Sequence, residues 1–420
     1  MKFLHCADLH LDSPLRGLDR YEGAPVEDAR DATRRAFENL VSLALRERVD
    51  VVVIAGDLYD GDWPDFNTGL FFVKGVSQLA EAGIRVFAVR GNHDAASRIT
   101  RSLPLPHKVV FFSDRRPESV RVEDLGLAVH GQSFAAAAVS ENLAAGYPAA
   151  VPGLFNLGVL HTSLTGRPGH DSYAPTTEQV LRAKGYQYWA LGHVHAREIV
   201  SREPMIVYPG NTQGRHARER GPKGCELVTV EHDDISAESV ALDVLRWGQL
   251  TIDISGLPDL DALFDQALAG VRSELTCAEG RVLALRVSIE GTGALHRELA
   301  ARPDTVTNQL RAVTLEGSGG MAWLEKVELR ARPMLDLDEL AQRDDPIGLL
   351  VHELRAMTSS NDNLAALGRE ALQELQQKLP AELREGTDAL RLDASEVLRE
   401  LLSDAQGELL ARLAGEAGAP

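Results

Sequence analysis

Cysteine is scarce in this chain. Three stand among 420 residues, Cys6, Cys225 and Cys277, scattered and odd in number. That excludes a disulfide framework and suits a reducing cytoplasm. Long apolar runs are also missing. None reaches the roughly 18 residues that a membrane-spanning helix needs, so the expectation is no membrane segment. The start, "MKFLHCADLH", has one lysine and then an apolar stretch broken by His5 and Asp8, and it does not read as a signal peptide. Positive charge is short, with 44 Lys+Arg against 62 Asp+Glu and a net charge of −18. That excludes a protein that holds nucleic acid by bulk charge. The deficit is uneven, however. From Asp336 onward 18 acidic residues face 8 basic ones, so the acidity says little about what the front of the chain binds. Internal repeats and low-complexity blocks are absent as well.

What is present is ordinary globular composition, 44% hydrophobic and 25% charged, in a chain long enough for two or three domains. The first part alternates strand and helix signals. "KFLHCA", "VDVVVIAGD" and "IRVFAVRGN" are short apolar runs that end in polar residues or glycine. Helical spacing fits Ala29–Arg48 and Phe66–Ala82. This predicts βαβ units with a largely parallel sheet. From Lys108 the strands come closer together: "KVVFFS", "SVRV", "GLAVHG", "FNLGVLH", "YQYWALGH", "PMIVYPG" and "GCELVTVE". They predict a mixed sheet, or two sheets packed face to face, with helices outside. A small α+β unit follows from about Leu250, with helical stretches at Leu260–Glu274 and Ala294–Val313. A tail rich in Leu, Ala, Glu and Arg comes last, with helical patterns over Asp362–Lys378 and Ala394–Leu413. The expected division is 1–249, 250–335 and 336–420.

Ligands of an open α/β sheet bind beyond the carboxyl ends of its strands. Read in order, those ends carry Asp8 and His10 in "ADLH", Asp57 in "AGDLYD", and Asn92, His93 and Asp94 in "GNHD". His161 follows "LGVL", and His193 and His195 stand in "GHVH". Taken singly, each is weak: D-x-H is common on surfaces, "GD" is commonplace, and "GNHD" is made of turn formers. Taken together they make a donor set for a pair of divalent ions such as Mn²⁺, Fe²⁺ or Zn²⁺. The lack of cysteine among them argues against a structural zinc site. Alternate residues of an extended segment share a face, which allows Asp8 with His10 and His193 with His195. Asn92 offers a neutral carbonyl oxygen, and Asp57 has two oxygens with which to bridge.

The series "DLH", "GD", "GNHD", lone His161 and "GHVH" resembles the calcineurin-like metallophosphoesterases. The segments "HCADLHLDSPL", "GDLYD" and "YPGNTQGRHARERGPKGC" are similar to the SbcD-type DNA repair exonucleases, in particular their YhaO-like branch. The resemblance covers residues 1–245 well and the tail least. It implies a mixed-sheet metallophosphoesterase sandwich flanked by helices, with a small α+β cap facing DNA and a helical tail. It implies one ion held by Asp8, His10, Asp57 and His195, and another by Asp57, Asn92, His161 and His193, with Mn²⁺ as the expected metal. His93 becomes an acid near the phosphate, oriented by Asp94. The implied activity is two-metal-dependent hydrolysis of DNA phosphodiester bonds, exonucleolytic and also endonucleolytic, in DNA repair. The implied partner is a coiled-coil ATPase gripped by the C-terminal helices. Where some relatives carry a histidine, three residues after Asp57, this chain has Asp60.

Several residues stay open at this stage. Arg215, His216, Arg218 and Arg220 form a basic cluster that either grips a DNA backbone or is a solvated loop. His170 reads as a surface residue of a long loop, and His130 as a strand end. Core packing is favoured over base stacking for Trp63 and Phe66. In the tail, Leu392, Val397, Leu398, Leu401, Leu402, Ala405, Leu409 and Leu413 leave an apolar stripe that something must cover. The chain's own core, a second copy in a homodimer, and the ATPase are the alternatives. Two other functions also remain, a phosphatase or phosphodiesterase acting on a nucleotide or small molecule, and a non-catalytic scaffold.

Overall fold

A computed structural model of the chain describes residues 1–13, 15, 31–60, 66–96, 104–166, 172–232, 234–334, 337–358, 366, 368, 371–375, 378 and 394–416. Trp63, His170, Leu392 and most of 362–378 lie outside the described residues. The chain divides into two compact units. One comprises Met1–Gly248 with Glu274–Leu285, and the other Gln249–Ser273 with Arg286–Pro420.

The first unit contains strands β1 (Lys2–Cys6), β2 (Val51–Ala55), β3 (Arg85–Val89), β4 (Val109–Phe111), β5 (Glu118–Val122), β6 (Leu127–Gly131), β7 (Phe155–His161), β8 (Tyr188–Gly192), β9 (Glu198–Arg202), β10 (Met205–Tyr208), β11 (Gly224–Glu231) and β12 (Asp234–Ala241). They build two six-stranded sheets, in the orders β12-β11-β1-β2-β3-β4 and β5-β6-β7-β8-β10-β9. The centre of each is parallel: β1, β2, β3 and β4 in the first, β6, β7, β8 and β10 in the second. The two-sheet form of the expectation is therefore the one that occurs.

The continuous apolar runs explain this packing. In β2, Val51, Val53 and Ala55 join Phe3, Val89, Val129, Val159 and Ala190 in a core shared by the two sheets. Val52 and Ile54 point the other way, onto helices α1 (Ala32–Glu47) and α2 (Asn67–Glu81). A strand buried on both faces reads as an unbroken apolar run. Each fully buried Val, Leu or Phe contributes about 1.5–3 kcal/mol. Helix α1 buries Ala36, Phe37, Leu40, Val41 and Ala44, and Phe37 stacks on Phe72 of α2 at 5.5 Å. Helix α3 (Asn92–Ala96) is a single turn after β3, and α4 (Glu178–Arg182) covers the outer face of the second sheet through Leu181. Sequence patterning missed β9 and β12. Both are edge strands whose residues are mostly partly exposed, so neither offers an apolar run.

The remaining strands are β13 (Leu245–Asp253), β14 (Val282–Glu290), β15 (Thr292–Gly293), β16 (Ala322–Leu329) and β17 (Arg332–Pro333). They give a three-stranded sheet, β13-β14-β16, and a parallel pair, β15-β17. Helices α5 (Leu260–Ala278), α6 (His296–Ala301) and α7 (Pro303–Ser318) accompany them. The helical stretch expected through Ala294–Val313 is two helices. Pro303 lacks an N–H and starts a new helix, with Pro at its first turn. Glu274–Leu285 belongs with the first unit. Buried Asp243 binds both Arg246 and Arg281, and Arg246 also donates to the Cys277 carbonyl at 2.6 Å.

The tail contains α8 (Leu337–Ala341), α9 (Pro346–Thr358) and α10 (Ser395–Glu416). Ile347, Val351 and Leu410 form a small core there, with Leu413 packed against it. The stripe read from the sequence is split. Leu398 is buried, whereas Leu401, Ala405 and Leu409 are exposed. No helix among the described residues is long and apolar enough to cross a membrane.

Candidate metal centre

The loops beyond β1, β2, β3, β7 and β8 meet at one edge of the sandwich. Backbone hydrogen bonds continue the parallel ladders into these loops. Asp8 N donates to Gly56 O at 2.9 Å, His10 N to Asp57 O at 3.1 Å and Thr162 N to Gly192 O at 3.1 Å. Asp8, His10, Asp57 and His193 all have φ between +42° and +100°. Such conformations cost non-glycine residues energy and persist where the surroundings fix them. The glycines of two motifs are there for close approach. A Cβ on Gly91 would lie 2.2 Å from Asp57 Oδ1, and one on Gly192 would lie 1.9 Å from the Ala55 carbonyl.

Asp57 sits at the middle. Its Oδ2 is 3.5 Å from His161 Nε2 and 3.9 Å from His10 Nε2, while Oδ1 accepts the His93 backbone N–H at 3.0 Å. His10 Nε2 faces His195 Nε2 at 3.3 Å, and His195 Nε2 is 3.9 Å from Asp8 Oδ1. Asn92 Oδ1 is 3.0 Å from His161 Nε2. Asp8, His10 and His195 make one compact group of potential ligand atoms, and Asp8, Asp57 and His161 another. His193 stands edge-on to His161 with ring centroids 5.2 Å apart, and its backbone N–H donates to the Asp8 carboxylate at 3.0 Å. The structure thus brings together Asp8, His10, Asp57, Asn92, His161, His193 and His195.

The donors fit divalent cations. His161 Nδ1 meets the Ala55 carbonyl at 2.9 Å, and His195 Nδ1 meets Glu219 Oε1 at 2.6 Å. Each ring spends its Nδ1 proton on an acceptor, so Nε2 presents a lone pair inward. Those lone pairs converge with two buried carboxylates, and buried His10 Nδ1 faces Asp60 Oδ1 at 3.7 Å, which leaves its Nε2 turned to the centre. Acceptors facing acceptors away from water call for positive charge between them. The titrations agree. Burial, then the charge of Asp57, pushes the Asp8 carboxyl well above its ordinary value; burial raises Asp57 to about 6. Burial, then Arg215, holds His10 well below the usual imidazole range.

The structure alters the expected partner of His93. Asp94 points away, into the turn, where its carboxylate accepts the backbone N–H groups of Leu58, Tyr59 and Gly91 at 3.0–3.1 Å. Asp60 takes the orienting position instead, with Oδ1 2.8 Å from His93 Nδ1. Ser13 Oγ donates to the other Asp60 oxygen at 2.8 Å. The family resemblance implied Asp94; the turn of "GDLYD" delivers Asp60. The Asp60 pairing raises the His93 pKa. His93 remains 39% exposed, so its ring borders solvent.

The basic cluster also divides. Arg215 turns inward and is 15% exposed, 3.6 Å from Asp60 Oδ2 and 3.5 Å from His195 Nδ1. Its Nε is buried without a hydrogen-bond partner. His216 lies 3.5 Å from Glu219, and Arg218 and Arg220 are exposed. Outside the centre, His130 lies within β6, bound to Ser119 and Asn156. Phe66 is 53% exposed, so the core packing expected of it does not occur.

A two-sheet sandwich with Asp, Asn and His gathered at its strand ends defines a class, and sequence comparison names it. Residues 1–197 match the family described as calcineurin-like phosphoesterase, and 247–332 match the middle domain of metallophosphoesterase YhaO. The chain is 36% identical over 296 residues to metallophosphoesterase YhaO of Bacillus subtilis (strain 168), covering 70% of this chain and 72% of that protein. It is 29% identical over 235 residues to the DNA double-strand break repair protein Mre11 of Methanopyrus kandleri, covering 51% of this chain and 49% of that one. Over 110 residues it is 33% identical to one component of the nuclease SbcCD of Bacillus subtilis, covering 26% of each. The chain belongs to the calcineurin-like metallophosphoesterases, in their YhaO-like, SbcD/Mre11-type branch. That family hydrolyses phosphoesters with divalent metal ions.

Proposed function

We propose that this chain is a two-metal-dependent DNA nuclease, an exonuclease with endonuclease activity, acting in DNA repair in the cytoplasm. The observation that carries the reading is the Asp57 carboxylate, set between His10 and His161. Asp8, His10, Asp57 and His195 would hold one ion; Asp57, Asn92, His161 and His193 would hold the other. Mn²⁺ suits this mixture of carboxylate, amide and imidazole donors. When bound, such a pair supplies charge neutralisation at a phosphate group and a water of lowered pKa.

The chain's own groups do the rest. His93, at the solvent border, donates a proton to the leaving oxygen from its Nε2 while Asp60 holds Nδ1. A carboxylate at that nitrogen favours the protonated ring, the form an acid needs. Arg215, beside Asp60 and partly exposed, offers its guanidinium to a phosphate oxygen, with His216 and Arg218 further out along the backbone. Asp94 acts indirectly, by holding the turn from which Asp60 projects.

The names of the Mre11 and SbcCD relatives support DNA as the substrate. We read 250–335 as the DNA-facing cap. The acidic tail, 336–420, would repel DNA, and we assign it to docking on a coiled-coil ATPase; the exposed Leu401 and Leu409 support an external partner, with a homodimer as the other outcome. The test is hydrolysis with Mn²⁺ of linear duplex, single-stranded and circular DNA, beside a small phosphodiester. Metal-dependent cleavage of linear DNA is expected. Hydrolysis of the small ester alone would replace the nuclease by a small-molecule phosphodiesterase, and no hydrolysis of either would leave a scaffold.

A further inference from the structure

The loop joining β10 to β11 spans residues 209–223 and wraps His195. Two of its side chains hold that residue from opposite ends. Lys223 Nζ donates to the His195 carbonyl at 2.7 Å, and Glu219 Oε1 accepts from His195 Nδ1 at 2.6 Å. Glu219 is buried and itself well fixed. Its Oε2 accepts from Asn211 Nδ2 at 2.9 Å and from the Arg215 backbone N–H at 2.7 Å. The Arg215 guanidinium lies 3.8 Å from Oε1, and His216 Nε2 lies 3.5 Å from it.

An imidazole has two tautomers, and only one leaves a lone pair on Nε2. Glu219 selects that one, because an anionic acceptor at Nδ1 requires the proton there. It also fixes the ring's rotation. Nε2 is then aimed at Asp8 and His10, at 3.9 Å from Asp8 Oδ1 and 3.3 Å from His10 Nε2. A group without an acceptor in place of Glu219 would let the ring turn and point its lone pair elsewhere. We propose that Glu219 is the positioning residue of His195, setting its tautomer and direction so that the Asp8–His10–His195 group binds its ion tightly. This rests on the reading that the cluster holds divalent ions.

The test uses the full chain, stripped by chelator and titrated with Mn²⁺ by calorimetry. Glu219→Gln and Glu219→Met have similar length and lose the same charge. Only Gln keeps an oxygen acceptor for Nδ1. The expected result is that Glu219→Met weakens one of two bound Mn²⁺ by about 10–100-fold and leaves the other unchanged. Glu219→Gln should recover most of that loss. Wild-type affinity in Glu219→Met, or equal losses in both variants, would overturn the positioning role. A second readout needs no variant that must fold: the ¹⁵N shifts of His195 in the metal-free wild type, followed upward in pH until the ring is neutral, should report the Nδ1–H tautomer, and an Nε2–H tautomer would overturn the inference. If the wild type takes up no Mn²⁺ at all while His195 still shows Nδ1–H, the two-ion reading fails rather than the role of Glu219.

Discussion

The two sheets of the sandwich bring different chemistry to one edge. The first sheet delivers both buried carboxylates, Asp8 and Asp57, together with His10, Asn92 and His93. The second delivers imidazoles, His161, His193 and His195, and among the described residues no carboxylate from its β7 and β8 ends enters the cluster. Negative charge comes from one side and most of the neutral nitrogen donors from the other. The centre therefore exists only across the seam, and an ion there would tie the sheets together. Disturbing the first sheet's share should remove charge; disturbing the second's should remove direction.

The largest effect should come from Asp57, the first sheet's central carboxylate, on the reading that it bridges two ions. Asp57→Asn keeps the shape but gives two cations one neutral oxygen. Losing several kcal/mol of charge stabilisation corresponds to about 10³–10⁵-fold in turnover. Activity and bound metal, measured together in the purified variant, check this, and both should fall. Full activity of the chelator-treated wild type without added metal would contradict the two-ion centre.

Next comes a pair that contrasts the two sheets directly. If the ring gives a proton and holds no ion, His93→Ala should lower turnover by about 10²–10⁴-fold while metal content stays at the wild-type level. His161→Ala should lose metal. Asp60→Asn should move with His93→Ala, and Asp94→Asn should instead lower stability, since Asp94 binds three backbone N–H groups. Turnover, metal analysis and thermal melting together separate the acid pair, the ligand variant and the turn variant. Metal loss in His93→Ala would move that residue into the ligand set.

A smaller effect is expected at the seam itself. Gly192 ends β8 where β2 of the other sheet passes, and a methyl group there would meet the Ala55 carbonyl at 1.9 Å. Gly192→Ala should cost about 1–3 kcal/mol of stability by overpacking and should weaken metal binding as the sheets part. Gly146→Ala is the control, because its nearest neighbour is 3.8 Å away. Denaturant midpoints of the two variants give the comparison, and equal midpoints would mean that the seam has slack.

The contrast between the sheets also explains what was legible in the sequence. The cluster was, because each donor follows an apolar run, and a run buried on both faces identifies a strand without any alignment. Asp57 in "AGDLYD" and His193 in "GHVH" could be ordered along the edge for that reason. Asp60 and Asp94 could not be told apart. Both lie near His93 in space or sequence, and only the path of the turn after β2 decides which carboxylate meets the ring. Glu219 was hidden for another reason. It stands within "GRHARERG", where counting charge gives a basic cluster and says nothing of which side chains turn inward. The edge strands β9 and β12 left no signal because half-exposed strands lack an apolar run. In the tail, the helical pattern was clear, but which leucines find cover depends on the contacts of α9 with α10, and Leu410 rather than Leu409 is buried.

The smallest effect should come from the loop that crosses from the second sheet to the first. Arg218 lies on it and is exposed, whereas Arg215 on the same loop turns into the centre. If Arg218 touches only DNA backbone, it acts by displacing one counterion. Arg218→Ala should then leave metal content and small-ester hydrolysis unchanged. It should weaken DNA binding alike for all sequences and reduce the salt slope of that binding by about one. If the Arg215 guanidinium reaches the phosphate that either substrate presents, Arg215→Ala should lower hydrolysis of both. Binding isotherms at several salt concentrations, run beside the small-ester assay, distinguish the two arginines. An unchanged salt slope in Arg218→Ala would make the outer part of the loop a solvated surface and confine substrate contact to the seam between the sheets.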